Sequence, residues 1–108
     1  MSTDASFMEF IADQMAHAGI VTYKKMFGEY GVYCDGKIVA LVCDNQLYVK
    51  PTNAGRAFIK DVVESPPYTG AKNYFLIQDQ LDDRDWMGEL IRITAAALPE
   101  AMQKRKKI

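Results

Sequence analysis

The sequence predicts an α+β domain: an antiparallel β-meander sheet with packed N- and C-terminal helices. Three observations carry that expectation. Phe7, Phe10, Ile11, Met15 and Ala18 recur at helical spacing and make one apolar stripe near the start. Trp86, Met87, Leu90, Ile91, Thr94 and Leu98 make a second, broader stripe near the end. Between them lie short runs rich in Val, Ile, Tyr and Thr, separated by two-residue turn signals.

The elements follow in order. Residues 4–18 read as a helix, with Thr3 or Asp4 as its N-terminal cap and Gly19 as its stop. Val21 to Met26 alternates as a first strand. Tyr30 to Cys34 is a second, and Asp35-Gly36 is a strong hairpin turn, because glycine tolerates the positive φ of a type I′ turn. Lys37 to Cys43 and Gln46 to Lys50 complete the meander across a second turn at Asp44-Asn45. Pro51 ends that strand. Thr52 or Asn53 is placed to cap a short helix over about Gly55 to Val63, with Phe58, Ile59 and Val62 inward. Ser65-Pro66-Pro67 breaks the chain, Tyr68 to Lys72 is a loop, and Asn73 to Gln78 is a last strand. Asp82 is expected to cap the final helix, with Asp83, Asp85 and Glu89 complementing its positive end.

The hairpin turns imply a register. It pairs Cys34 with Lys37, Val32 with Val39 and Tyr30 with Leu41, then Cys43 with Gln46 and Leu41 with Tyr48. One sheet face then carries Tyr33, Ile38, Ala40, Val42, Leu47 and Val49. The other carries Tyr30, Val32, Val39, Leu41, Cys43 and Tyr48. An antiparallel sheet with one wet face shows a polar side. Both faces here are apolar at their centres, so the second needs a cover as well: another helix or another copy of the protein.

Length and charge bound the function. The 108 residues suit one domain, expected over 1–103 with a basic tail at 104–108. Thirteen basic residues oppose fourteen acidic ones, but Lys104, Arg105, Lys106 and Lys107 account for four of the cations. The body before them is acidic, which disfavours a broad phosphate-binding face. The tail alone is a candidate nucleic-acid contact. Neither a secretory leader nor a membrane span is visible, and Cys34 and Cys43 lie about 20 Å apart along adjacent strands, too far to bridge. A reduced, cytoplasmic protein is expected.

Candidate chemistry is sparse. His17 is the only histidine and lacks neighbours at ligand spacing. Gly28-Glu29-Tyr30-Gly31 is no phosphate loop, since no Gly-Lys-Ser/Thr and no helix follow it; the glycines suit a bulge or a close backbone approach. Asp79, Asp82, Asp83 and Asp85 break the spacing of a calcium loop. No catalytic residue, metal ligand or cofactor site is read. The six tyrosines fit sheet packing and a protein interface. The candidate interface is Met26, Phe27, Gly28, Tyr30, Gly31, Tyr33, Leu41 and Tyr48.

The run Lys25-Met26-Phe27-Gly28-Glu29-Tyr30-Gly31-Val32-Tyr33 resembles the signature of the TfoX/Sxy N-terminal domain family. Asp35-Gly36, Leu47-Tyr48-Val49-Lys50, Ala71-Lys72-Asn73-Tyr74-Phe75 and Ala97-Leu98-Pro99 extend the likeness over nearly the whole chain. The resemblance implies a two-layer fold similar to secretion chaperones. It also implies kinship with regulators of natural competence, coactivators with the cyclic-AMP receptor protein whose full-length forms carry a second domain. The family supplies no catalytic residues. Together these point to a non-enzymatic regulatory domain that works as a homodimer or on a transcription-related partner. An accessory nucleic-acid binder using the tail and a small-ligand binder are the alternatives.

Overall fold

The two turns at Asp35-Gly36 and Asp44-Asn45 set up the centre of the sheet. Both residues of each turn take positive φ: Asp35 lies at 53°, Gly36 at 85°, Asp44 at 53° and Asn45 at 58°. These are the left-handed values of type I′ hairpins, whose twist matches that of the flanking strands. The computed structural model describes residues 3–99. In chain order it contains helix α1 (Ala5–Gln14), a 3₁₀ turn (Ala16–Ala18), strands β1 (Val21–Met26), β2 (Glu29–Cys34), β3 (Lys37–Cys43) and β4 (Gln46–Val49), helix α2 (Asn53–Ile59), strands β5 (Glu64–Ser65) and β6 (Tyr74–Ile77), and helix α3 (Arg84–Ala97). The six strands form one antiparallel sheet in the order β1-β2-β3-β4-β6-β5. The α+β expectation holds.

The helices lie on one face. Met8 and Ile11 of α1 and Met15 just after it meet Met87, Leu90 and Ile91 of α3 over Val32, Val42, Leu47, Val49 and Phe75 of the sheet, all essentially inaccessible to water. Phe58 of α2 packs on Trp86 of α3, ring centroids 5.4 Å apart. Phe58, Ile59 and Val62 all pack against this core, but α2 starts earlier and stops sooner than expected, at Ile59, so Val62 reaches the core from beyond the helix. Thr52 caps α2 by accepting a hydrogen bond from the Gly55 amide at 2.9 Å. Asp83, not Asp82, caps α3: its carboxylate accepts from the Trp86 amide at 3.1 Å.

The register differs from expectation at one place, with a large effect. Cys34 pairs with Lys37 and Tyr33 with Ile38, but Val32 pairs with Ala40 and Tyr30 with Val42. Val39 is therefore an extra residue on β3, a β-bulge. Side chains alternate along a strand, so one inserted residue exchanges the faces of everything beyond it. Tyr30 and Val32 move to the helix face, with Ala40, Val42, Leu47 and Val49. Tyr33 and Ile38 join Leu41, Cys43 and Tyr48 on the opposite face. The β3–β4 register is as expected, with Cys43 on Gln46 and Leu41 on Tyr48. The two-residue strand β5, pairing with β6, was not anticipated.

Candidate functional site

The face away from the helices carries the candidate site. Its floor follows from the register: Met26, Gly31, Leu41, Cys43, Tyr48 and Tyr74 point to this side. Gly31 matters because it has no side chain. A Cβ there would lie 2.7 Å from the Met26 terminal methyl, so the glycine lets that thioether lie flat on the sheet. Beyond Met26 the chain turns through Phe27 at φ 50° and Gly28 at φ 85°, a third left-handed pair. Left-handed backbone is costly for a bulky residue. The Phe27 side chain gains no burial in exchange, being fully exposed at 103%.

An apolar cleft of about 580 Å³ opens beside this turn. Met26, Phe27, Glu29, Tyr30, Leu41 and Cys43 line it from the sheet, and Pro67 and Tyr68 from the segment between β5 and β6. Tyr68 is itself 61% exposed. The mouth is fixed by polar contacts. Glu29 Oε1 accepts from the Thr3 hydroxyl at 2.6 Å and from the Asp44 amide at 2.9 Å. Thr3 Oγ1 accepts from the Asn45 amide at 3.2 Å, and the Thr3 amide donates to the Gly28 carbonyl at 3.1 Å. The N-terminal segment thus ties the β1–β2 turn to the β3–β4 turn, and the Glu29 carboxylate is already engaged.

Burial shifts one thiol and two phenols on this face upward. Burial pushes the Cys43 thiol up to about 11, with Glu29 and Asp44 adding to the effect. Burial also raises Tyr48, with help from Cys43, Asp44 and Glu29, and raises Tyr74, with help from Tyr68 and Cys43. A nucleophilic cysteine needs a lowered pKa, so Cys43 is a poor nucleophile. Cys34 is shifted upward too, chiefly by burial, and both cysteines are free. Among the described residues there is no group of three or more His, Cys, Asp or Glu side chains arranged to hold a metal.

Of the expected interface residues, Met26, Phe27, Tyr30 and Leu41 come together at the cleft, with Gly28 and Gly31 shaping its turn and floor. Tyr48 lies beside Leu41 but is only 5% exposed, and Tyr33 sits farther along the same face. Tyr30 borders the cleft although its ring belongs to the helix side, where it meets Tyr23 edge-on at 5.6 Å. Pro67 and Tyr68 were missed. The Ser65-Pro66-Pro67 break marks their segment but not its return over the sheet. The Lys104, Arg105, Lys106 and Lys107 run lies outside the described residues.

The model of the TfoX N-terminal domain matches residues 13–98 of this chain. The chain belongs to that family. An uncharacterised 12.7 kDa protein from Spirochaeta aurantia, described by its place in the trpE 5′ region, is similar to it. The two are 41% identical over 107 residues, 99% of this chain and 93% of the relative. In this TfoX N-terminal domain the run from Lys25 to Tyr33, inside the matched residues, covers the end of β1, the Phe27-Gly28 turn and most of β2. Four of the eight residues that line the cleft, Met26, Phe27, Glu29 and Tyr30, fall in that run. Among the described residues, no helix is long and apolar enough to cross a membrane.

Proposed function

We propose that this TfoX N-terminal domain is a non-catalytic regulatory module that docks a transcription-related protein on its cleft face. Phe27 carries the reading. A fully exposed aromatic side chain on left-handed backbone works against folding, and such outliers gather where a chain does its work. It stands at the mouth of an apolar cleft, the arrangement of an anchor beside a pocket. The upward shifts of Cys43, Tyr48 and Tyr74, the first two buried and the third half-buried, support a binding role over a catalytic one. Family membership supports the link to transcriptional control, including control of competence. Two free buried thiols suit a reducing compartment such as the cytoplasm.

The test is recovery of partners from native cells by the tagged protein and by its Phe27→Asn variant. The wild type should retain a protein that the variant loses while staying folded. An identical partner set from both removes the reading. The four consecutive cations of the tail favour a second reading, accessory nucleic-acid binding. Its signature is affinity that falls steeply with salt and drops when residues 104–108 are deleted.

A further inference from the structure

We infer that the cleft receives an arginine side chain of the docked protein, with Glu29 as its counter-ion. The inference rests on the docking reading above and adds the chemistry that the partner presents. The eight residues lining the cleft include one carboxylate and no basic side chain. Glu29 meets the Thr3 hydroxyl and the Asp44 amide through Oε1 alone. Among the described residues Oε2 accepts no hydrogen bond, and no buried polar side-chain atom is left without a partner, so solvent reaches Oε2. Burial first, then Glu29 and Asp44, push the Cys43 thiol up, so the field at the cleft floor is negative. Lys24 lies two residues before Met26 on the same face, yet it does not line the cleft and forms no ion pair among the described residues.

The rest of the lining selects the kind of cation. Phe27 and Tyr68, both exposed, border the cleft from the β1–β2 turn and from the segment between β5 and β6. A cation is drawn to the face of such rings. Met26, Leu41 and Cys43 add an apolar floor. Water satisfies Oε2 but leaves that floor and both rings wet. A guest with an apolar stem and a cationic head satisfies all of them. The lysine ammonium holds its water strongly. The guanidinium is planar and more weakly hydrated, stacks on aromatic rings and still donates to a carboxylate. The chain builds this trio once within itself. The Arg56 guanidinium lies over the Phe75 ring, 5.2 Å from its centroid, and Nη2 donates to Glu64 Oε2 at 2.8 Å. At the cleft the rings and the carboxylate are in place, and the guanidinium is left for the partner to supply.

Titration with n-butylguanidinium chloride, followed by the amide shifts of Phe27, Gly28 and Glu29, tests the chemistry without the partner. Saturable binding is expected. The neutral n-butylurea, of the same shape, should bind about tenfold more weakly, with n-butylammonium between the two. Glu29→Gln keeps an oxygen for the Thr3 hydroxyl and the Asp44 amide and removes the charge. It should stay folded, which its denaturant midpoint checks, and lose about tenfold in n-butylguanidinium binding. In the recovery experiment, the protein that Phe27→Asn loses should also be lost by Glu29→Gln. Replacing one arginine of that protein by methionine should weaken its binding to the wild type about tenfold and its binding to Glu29→Gln little. Equal binding of the charged and neutral probes overturns the inference, as does tighter binding of the ammonium or probe binding untouched by Glu29→Gln. Probe binding that rises severalfold on deleting residues 104–108 gives the cleft to the chain's own cations and also overturns it. A partner lost by Phe27→Asn but held fully by Glu29→Gln overturns it and leaves the docking reading standing. The docking reading fails on a different result, the same proteins recovered by the wild type and by Phe27→Asn.

Discussion

The imidazole of His17 occupies the space that a side chain at Gly88 would need. A Cβ on Gly88 would lie 2.1 Å from His17 Nε2 and 2.2 Å from Cε1. Gly88 sits inside α3, where glycine costs about 1 kcal/mol relative to alanine. The helix accepts that cost so that the 3₁₀ turn after α1 can close onto it. Arg84 clamps the same junction, bonding the Asp13 carboxylate at 2.6 Å, and the Gln14 side-chain amide donates to the Leu81 carbonyl at 3.1 Å.

Gly88→Ala should therefore destabilise the domain, by about 1–3 kcal/mol, despite the better helix former. In a His17→Ala background the same change should become stabilising, by up to about 1 kcal/mol. Urea unfolding of the four proteins in this double-mutant cycle checks it. A Gly88→Ala effect that is the same in both backgrounds means the two residues are not coupled.

This contact marks a boundary of what the sequence makes legible. Asp35-Gly36 and Asp44-Asn45 were readable because two-residue hairpin turns demand positive φ from residues that tolerate it. The helical stripes around Ile11 and Ile91 were readable because an amphipathic period has one physical explanation. Two things were not. Phe27-Gly28 is the same kind of turn, but phenylalanine hides it, since local preference argues against that residue there. The Val39 bulge falls in Ile38-Val39-Ala40-Leu41-Val42-Cys43, an unbroken apolar run. With no polar residue to report a face, alternation carries no register information, and packing decides it. The expected interface consequently included Tyr30 as a face residue, whereas its ring lies on the helix side.

Lys37 should matter more than a strand-end lysine usually does. Its ammonium donates to the carbonyls of Ala95 at 2.8 Å and Leu98 at 3.1 Å, at the negative end of α3. Lys37→Met keeps most of the stem and removes the donors. The expected loss is about 1–2 kcal/mol. Chemical denaturation measures it, and an unchanged midpoint would mean that water serves those carbonyls equally well.

Alkaline stability should carry the mark of Cys43. Its thiol titrates near an ordinary 9.0 in the unfolded chain and at about 11 in the fold. Between those values the folded protein binds the proton more tightly, so unfolding becomes easier as pH rises. The contribution is whole below pH 9 and is lost progressively from pH 9 to about 11. Tyr48 and Tyr74 shift the same way from a higher starting point, which prolongs the decline. Cys43→Ala should flatten the early part of the curve. Denaturant midpoints at intervals from pH 8 to 11 for both proteins test this, and parallel curves would exclude a Cys43 contribution.

Phe27 offers the clearest separation of folding from function. Its backbone at φ 50° precedes Gly28 at φ 85°, the geometry for which Asn-Gly is preferred. Phe27→Asn relieves the strain and removes an exposed aromatic side chain that packs on nothing when the chain is alone. Stability should rise, by about 0.5–1 kcal/mol, where most substitutions lower it. The same variant should lose the docked protein in the recovery experiment. Denaturant unfolding reads the first effect independently of the second. A gain in stability with partner binding intact would assign Phe27 a cost and leave the cleft without its anchor. A loss of stability would mean that the ring makes folding contacts of its own, and the argument from strain would fall.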